Sequence, residues 1–220
     1  MFYLACTRFN NKTYSENISY RQKCGEPVIY GSTLKIRDCY PIGCLIFIVE
    51  MNNDKNKIEG IGLIKNLLVC DKRHKIYDNN EYNRYIYKGK YWISRDDINN
   101  FSSNIIEILD SVLFKGKSHL KCRIGVTIIT ERLFVHWNCN LAPLKNKIKE
   151  LFITTFKNTF NNELDYNDEL KDNNKLKANN NSEDKDKLID EIYSDNNNTI
   201  YIEIIPKSKK GKRNRKEKTN

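Results

Sequence analysis

Cys44-Leu45-Ile46-Phe47-Ile48-Val49-Glu50-Met51 is a nearly continuous apolar run of strand length. Such a run is typical of a strand that is buried on both faces of a sheet. Residues 52–56 follow as Asn-Asn-Asp-Lys-Asn, and they predict a turn because Asn and Asp tolerate left-handed backbone and hydrogen-bond to their own main chain. Residues 57–64, Lys-Ile-Glu-Gly-Ile-Gly-Leu-Ile, regain strand character. Together the three segments predict an antiparallel hairpin.

Gly60 and Gly62 are two residues apart in the second strand of this hairpin, so they lie on the same face. Missing side chains at two such positions permit a bend or the close approach of a neighbouring residue. This pattern suits a small sheet that closes toward a barrel.

Other segments of the chain supply further strands and two helices. Strands are predicted over residues 1–9, 27–31, 75–93 and 124–129, whereas the polar segment 10–23 has no predicted element. Tyr85 and Tyr87 share a strand face, and Tyr91 and Ile93 are expected to continue it if Gly89 keeps the register.

Ser94 is predicted to cap a helix that ends near Leu113, because Asp96 and Asp97 occupy its first turn. A second helix is predicted to begin near Pro143. We therefore expect an α+β fold: a small mixed or antiparallel barrel-like sheet of about six or seven strands with two main helices.

Composition divides the chain into four parts. Residues 1–160 are predicted to form the folded domain, and residues 161–198 a disordered, acidic and Asn-rich insertion. Residues 199–205 read as a strand that returns to the sheet, and residues 206–220 as a disordered polybasic tail that resembles a nuclear-localisation or nucleic-acid patch.

The net charge of +10 is carried by the folded part of the chain. The tail has eight Lys and Arg with one acid, whereas residues 161–198 have eleven acids and five lysines; with Glu203 these contributions cancel. A domain with this excess attracts polyanions through its summed field. The alternative is a lysine-rich surface that only maintains solubility.

Seven cysteines occur, an odd number, with no CxxC pair and no secretory signal. This pattern predicts free, mostly buried thiols in a reducing compartment, and so an intracellular protein. No apolar run approaches the length of a bilayer-spanning helix, so no membrane partner is expected. The sequence leaves the oligomeric state open.

The run from Tyr40-Pro41-Ile42-Gly43 through Glu50, followed by residues 57–64, resembles the central hairpin of PUA-like domains, in particular of their EVE and YTH branches. In those domains, an apolar strand precedes a strand with an apolar-Gly-apolar-Gly/Ala pattern. The PUA-like resemblance covers residues 1–130. The whole chain also resembles uncharacterised proteins of large DNA viruses of amoebae (mimivirus-like), in the segments Ile29-Tyr30-Gly31-Ser32, Glu50-Met51-Asn52-Asn53 and Ser118-His119-Leu120-Lys121. This resemblance implies a location in the cytoplasm or nucleus of the host cell, or in a virion.

The PUA-like resemblance implies a small barrel with helices at its rim that reads RNA or modified DNA bases. EVE and YTH domains hold a modified base in an aromatic cage. The candidate residues for such a base pocket here are the aromatics near the first loop and the rim, namely Tyr14, Tyr20, Tyr30 and Trp92. The chain departs from the EVE pattern because it has no early Trp-lined segment.

Two basic stretches are candidates for contact with nucleic acid. The first is the glycine-containing loop 115–123, whose cations suit phosphate oxygens; its candidates are Lys115, Lys117, His119, Lys121 and Arg123. The alternative is a solvated connection between a helix and a strand. The second basic stretch is residues 82–92, where cations alternate with tyrosines; its candidates are Arg84, Lys88 and Lys90. This arrangement suits base stacking, with the cations on the backbone. The alternative is a half-buried strand, because strands favour tyrosine.

The sequence predicts no catalytic residue, metal or cofactor. Loop 115–123 lacks the glycine spacing of a Walker loop. Cys39, Cys44, His136 and Cys139 carry ligand atoms, but their pair spacing differs from that of common structural zinc modules. We therefore expect a non-enzymatic nucleic-acid-binding protein, for RNA over DNA. The alternatives are a viral structural or interaction protein that binds acidic partners, and a small hydrolase on the related ASCH scaffold.

Overall fold

A computed structural model describes residues 2–137 and 139–173, with side chains through residue 157. Within these residues the chain forms seven strands and four α-helices, so the α+β class is confirmed. Their order is β1 (Phe2–Phe9), α1 (Asn11–Cys24), β2 (Val28–Ser32), β3 (Leu45–Asn52), β4 (Lys57–Lys65), β5 (Tyr85–Gly89), β6 (Tyr91–Ser94), α2 (Arg95–Phe101), α3 (Ser103–Phe114), β7 (Thr127–Ile128) and α4 (Leu141–Asn173).

The described strands form two sheets rather than a single barrel-like sheet. The main sheet has the order β6-β4-β3-β1-β7, in which β1 and β3 are parallel and all other neighbours are antiparallel. Strands β2 and β5 form a separate antiparallel pair. No closed barrel is found among the described strands, which corrects the expected closure.

The predicted hairpin is confirmed as β3 and β4, with Ile48 opposite Gly62. The pairing register shifts between Glu50 and Met51, where Gly60 lies opposite Glu50. A bulge of this kind bends a strand and increases its twist. The bend therefore occurs beside one of the two glycines at which the sequence permits it.

Both faces of the main sheet are covered, which explains the continuous apolar run in β3. Phe47 and Val49 face a core formed with α2, α3 and α4, while Ile46 and Ile48 face a second core formed with the small β2–β5 sheet and aromatic residues of α1. Because successive side chains of a strand alternate between faces, a strand between two cores has apolar residues at nearly every position.

The polar segment 10–23, for which the sequence predicted neither a helix nor a strand, belongs to helix α1 and its N-cap. The sequence prediction is therefore wrong here. Asn10 caps α1 in a reciprocal capping box: its side chain accepts from the Thr13 backbone N–H, while the Thr13 hydroxyl accepts from the Asn10 N–H. Gly25 ends the helix in the left-handed conformation, at φ 69°. The fully buried residues of α1 are polar, Asn17 and Arg21, so the helix gives no apolar periodicity.

The expectation that Tyr85 and Ile93 share one strand face is wrong. The chain changes sheets at Gly89, so β5 pairs with β2 while β6 pairs with β4. A side chain at Gly89 would overlap the Leu63 backbone carbonyl oxygen. Glycine therefore allows the chain to pass directly over β4 as it crosses from one sheet to the other.

The helical part of the chain differs from the sequence prediction in extent. The predicted helix after Ser94 is confirmed, with the Ser94 hydroxyl accepting from the Asp97 N–H, but extended backbone at Ser102 divides it into α2 and α3. Of the strand predicted over 124–129, the structure retains only β7.

The second predicted helix is confirmed as α4, which begins at Leu141 and continues to Asn173, past residue 160. Residues 174–220 lie outside the described residues, together with the predicted strand 199–205 and the tail 206–220. Among the helices that the structure describes, none has the length and apolar character needed to cross a membrane.

Candidate nucleic-acid interface

Arg21 of α1 and Glu50 of β3 form an ion pair between the helix and the main sheet. Arg21 Nη2 lies 2.5 Å from Glu50 Oε1, and the two side chains are 7% and 0% exposed. The Tyr30 hydroxyl donates to the same carboxylate oxygen at 2.7 Å. Removal of one partner from such a buried pair would leave an uncompensated charge in the core.

Aromatic rings surround this ion pair. The centre of the Arg21 guanidinium lies 5.2 Å from the Tyr30 ring centroid and 5.9 Å from the Trp92 ring centroid, distances at which a cation is attracted to a ring face. Tyr14 packs edge-on against Phe9, with ring centroids 5.6 Å apart. Burial, and next the charge of Glu50, raise the pKa of Tyr14 above its ordinary value.

Asn17 and Tyr77 complete the group on the helix side. Asn17 precedes Arg21 by one turn of α1 and is fully buried. Its Nδ2 donates to the Ile29 carbonyl at 2.8 Å and to the Tyr77 hydroxyl at 3.1 Å. Burial raises the pKa of Tyr77, so its hydroxyl stays protonated. We name the group the inner cluster; it consists of Asn17, Arg21, Tyr30, Glu50, Tyr77 and Trp92.

The charges of the inner cluster are set by this arrangement. Burial opposes the charge of Arg21, but the Glu50 carboxylate overcomes it and raises the pKa of the guanidinium above its ordinary value. Burial raises the pKa of Tyr30, and the nearby Glu50 charge raises it further. Arg21 is therefore a cation and Tyr30 a neutral hydrogen-bond donor to Glu50 at any physiological pH.

Four polar atoms of the inner cluster are buried and have no hydrogen-bond partner among the described residues. Two are acceptors, Glu50 Oε2 and Asn17 Oδ1, and two are donors, Arg21 Nε and Trp92 Nε1. Well over 90% of buried backbone groups and most buried side-chain polar atoms are paired in native proteins, and each unpaired atom costs about 1–3 kcal/mol. Two of the four, Arg21 Nε and Glu50 Oε2, belong to the side chains that form the buried ion pair through their other atoms.

The two glycines of β4 make room for the aromatic side chains of the inner cluster. A methyl group at Gly62 would overlap the Tyr30 hydroxyl, and a methyl group at Gly60 would lie 2.8 Å from Cζ2 of Trp92. The close neighbours that the glycine spacing predicts are therefore Tyr30 and Trp92.

Of the four residues predicted to line a base pocket, the structure places Tyr30 and Trp92 in the inner cluster. Tyr14, which packs against Phe9, and Tyr20 lie outside it. The Tyr20 hydroxyl is 2.9 Å from His74 Nδ1, and His74 Nε2 is 3.0 Å from Asp71 Oδ1. This chain of hydrogen bonds joins α1 to the segment between β4 and β5. Tyr20 therefore has a structural partner of its own.

Sequence reasoning missed Asn17, Arg21, Glu50 and Tyr77. Glu50 is the single charged residue of the apolar run 44–51, and a charge within a strand buried on both faces requires a partner. That signal was available, but the partner lies on a helix that was not predicted.

The basic loop 115–123 is attached to the turn between β3 and β4. The Asn53 side chain donates to the Lys121 carbonyl at 3.0 Å, and Lys121 Nζ donates to Asn56 Oδ1 at 2.5 Å. Lys115, Lys117 and Arg123 are exposed, and none of the loop's four Lys and Arg side chains forms an ion pair with a described residue. His119 is half-buried, and its Nδ1 has no partner there.

The second basic group, Arg84, Lys88 and Lys90, is less available for contact with nucleic acid than loop 115–123. Lys88 is half-buried and lies 3.0 Å from Glu26 and 3.4 Å from Asp71, so acids already neutralise it. Arg84 and Lys90 are exposed, at the two ends of β5. The described hydrogen bonds and ion pairs do not join this group to loop 115–123.

The tyrosines of β5 do not offer free faces for base stacking. Tyr87 is 1% exposed, and its hydroxyl accepts from the Ile36 N–H at 2.9 Å. Tyr85 packs against the same core and is half-buried. Of the two interpretations of this segment, the structure supports the half-buried strand.

The described residues contain no group of three or more His, Cys, Asp or Glu side chains placed to hold a metal. All seven cysteines are free thiols. The expectation that most are buried is wrong: only Cys6 and Cys139 are buried, and the exposed thiols are Cys39, Cys70 and Cys122.

We compared the chain with protein-family models, with curated proteins and with solved structures. None of them matches.

Proposed function

We propose that the protein binds nucleic acid without catalysing a reaction, that it prefers RNA to DNA, and that it reads one base at the inner cluster. The observation that carries this proposal is the set of four buried, unpartnered polar atoms among aromatic rings. A nucleobase is planar, and its edge presents hydrogen-bond donors and acceptors side by side. Aromatic rings and polar groups are the means by which proteins hold unstacked bases.

The basic loop 115–123 would supply the backbone contacts in this proposal. Its cations lack acidic partners among the described residues, and three of them are exposed. Phosphate contacts position a nucleic acid, whereas contacts to base edges give specificity. The net charge of +10 in residues 1–160 favours association with a polyanion.

The PUA-like assignment belongs to the same proposal. It is supported by the hairpin β3–β4 with glycines at positions 60 and 62 and by the resemblance of residues 1–130 to the EVE and YTH branches. The preference for RNA and a source in large DNA viruses of amoebae are proposed from the sequence resemblance alone.

Fluorescence anisotropy with the full-length protein tests this function. Labelled single-stranded RNA, single-stranded DNA and both duplexes are titrated over a series of salt concentrations. We expect single-stranded RNA to bind most tightly, with an affinity that falls as salt rises because counterions are released. Absence of binding to every nucleic acid at low salt would refute the proposal.

Two controls separate the proposal from the alternative functions. Polyglutamate of matched length and charge tests for a general affinity for acidic partners; equal affinity for polyglutamate and RNA would favour the interaction protein. Mass spectrometry of modified nucleosides after incubation with the protein tests for hydrolysis, which the proposal predicts to be absent.

A further inference from the structure

The turn at Gly125 joins the basic loop 115–123 to β7, and Arg8 of β1 holds this turn in place. Gly125 has a left-handed backbone, at φ 66°. Its carbonyl oxygen accepts a hydrogen bond from Arg8 Nη2, and the same nitrogen donates to the Thr127 hydroxyl at 3.2 Å. The end of the basic loop is therefore fixed on the main sheet.

Arg8 is a half-buried cation that forms no ion pair with a described residue. Besides its contacts with Gly125 and Thr127, its Nη1 donates to Cys6 Sγ at 3.5 Å. Burial raises the pKa of Cys6 to about 11, so this partner is an uncharged thiol at neutral pH. An arginine withdrawn from water is normally paired with an acid. The uncompensated charge of Arg8 therefore favours an anion at this place.

A second cation lies at the same turn. Arg123 precedes Gly125 by two residues, so its Cα is within roughly 8 Å of the Cα of the residue that Arg8 contacts. Arg123 is exposed and forms no ion pair with a described residue. Burial lowers the pKa of Arg8, and the positive charge of Arg123 also lowers it. An anion shared by the two guanidinium groups would relieve this repulsion.

Two exposed aliphatic side chains flank the turn. Ile124, between Arg123 and Gly125, is 65% exposed, and Leu34, in the loop after β2, is 56% exposed. A methyl group placed on Gly125 would lie 3.5 Å from Leu34 Cβ, so the two loops are in contact. The Ser32 hydroxyl donates to the Leu34 carbonyl at 2.7 Å and accepts from the Leu34 N–H at 3.2 Å, which fixes the second loop. Apolar side chains and uncompensated cations thus meet on one accessible surface.

We propose that an unpaired nucleotide of RNA binds at this turn, with its phosphate on Arg8 and Arg123 and its base against Leu34 and Ile124; this inference rests on the proposed function. Guanidinium groups match phosphate oxygens in charge and in hydrogen-bond geometry. The face of an unstacked base is open to apolar contact, whereas stacking in a duplex covers it. Arg123 is the last cation of loop 115–123, so a strand that binds the loop continues into the turn.

The charge around the turn favours a polyanion over an acidic or neutral partner. Residues 32–38 and 115–127 together contain six Lys and Arg and one acid, Asp38. Lys35 already neutralises that acid, at 2.6 Å. A row of phosphates matches such a continuous basic surface, and one base on the aliphatic pair would distinguish a single strand from a duplex.

Fluorescence anisotropy with the full-length protein tests the proposal with three labelled ligands of equal length. They are a single-stranded oligouridine, a strand of tetrahydrofuran spacers that keeps the phosphates and lacks the bases, and an RNA duplex. Ile124→Ser is expected to weaken oligouridine binding about fivefold, the lower end of the effect of losing a base-stacking side chain. The same variant should bind the spacer strand and the duplex as the wild type does.

Arg123→Gln tests the phosphate contact. It is expected to weaken the binding of all three ligands, and to reduce the slope of log K against log salt concentration by about 0.7 for the single strand, the contribution of one phosphate. Two controls make the same changes elsewhere: Ile42→Ser at a residue 82% exposed before β3, and Arg73→Gln at an exposed arginine between β4 and β5. Both controls should bind like the wild type, and circular dichroism verifies that all four variants are folded.

The outcomes separate this inference from the function on which it rests. If no nucleic acid binds the wild type at low salt, the proposed function fails. If RNA binds with a salt-dependent affinity but Ile124→Ser and Arg123→Gln match their controls, the proposed function stands and the site at the turn is overturned. Equal weakening of oligouridine and the spacer strand by Ile124→Ser overturns the base contact. Phosphatidylserine vesicles are the last arm: vesicle binding that Ile124→Ser abolishes, with RNA binding unchanged, assigns the surface to a membrane and overturns the proposal.

Discussion

Arg21 and Glu50, 29 residues apart in the sequence, are joined by a buried ion pair that connects α1 to the central strand β3. The carboxylate also accepts from Tyr30 of the small sheet. One acidic side chain therefore joins three elements of the fold. It also holds the guanidinium between the Tyr30 and Trp92 rings, which gives the inner cluster its shape.

The first prediction concerns the stability that depends on this ion pair. Glu50→Ala is expected to lower the free energy of unfolding by about 3–5 kcal/mol, because it leaves the Arg21 charge buried without a partner. Urea denaturation followed by tryptophan fluorescence measures the change. The control is Lys35→Ala, which removes an exposed, solvent-screened ion pair with Asp38 and should cost far less. Equal losses in the two variants would contradict a buried, unscreened pair.

The second prediction concerns the basic loop 115–123. The triple variant of Lys115, Lys117 and Lys121 to Ala is expected to reduce the salt dependence of RNA binding, by up to about 2 in the slope of log K against log salt concentration. Anisotropy titrations measure this slope.

The matched control for the loop removes the same charge from lysines that already have acidic partners. Lys12, Lys35 and Lys55 are already paired with Asp78, Asp38 and Glu59, and their replacement by Ala should change the slope less. An unchanged slope in the loop variant would place the loop outside the interface.

The third prediction concerns acid stability at Asp71. A hydrogen bond with the His74 ring lowers the pKa of Asp71 to about 2, below the value of about 3.9 for an unfolded chain. A lowered pKa stabilises the native state above the unfolded value, and this contribution is lost as the pH falls from about 4 to about 2. Asp71→Asn should therefore flatten the stability profile in this range.

Urea midpoints at several pH values measure the Asp71 effect. Glu107→Gln is the control, because Glu107 is exposed and has no ion pair or hydrogen bond among the described contacts. If the profiles of wild type and Asp71→Asn run parallel down to the lowest pH, the hydrogen bond with His74 does not act on the folded protein in solution.

The fourth prediction concerns the reactivity of the thiols. Burial raises the pKa of Cys6 to about 11, and burial also raises the pKa of Cys139. Because the thiolate is the reactive form, both should resist iodoacetamide in the native protein. Cys39, Cys70 and Cys122 are exposed and should be alkylated first. Peptide mass spectrometry at successive times measures the order in which the cysteines are alkylated. Early alkylation of Cys6 would contradict its burial in the core.

Local sequence patterns determined several elements of this fold. The hairpin β3–β4, the Ser94 cap and the start of α4 each follow from residues adjacent in the chain, through alternation, turn chemistry and helix-terminal preferences. The glycines at positions 60 and 62 also indicated a close neighbour. Two of the four aromatic residues predicted for a pocket, Tyr30 and Trp92, lie in the inner cluster.

Two features of the fold, helix α1 and the change of sheet at Gly89, depend on tertiary contacts that local sequence patterns do not record. Helix α1 buries polar residues, so its periodicity is visible only once Glu50 is known to lie opposite Arg21. Likewise the transfer of the chain between sheets at Gly89 depends on its approach to Leu63, far away in the sequence. Apolar patterning reports burial that the hydrophobic effect drives, whereas a buried charge is stable only beside its partner, and that partner is assigned by three-dimensional packing.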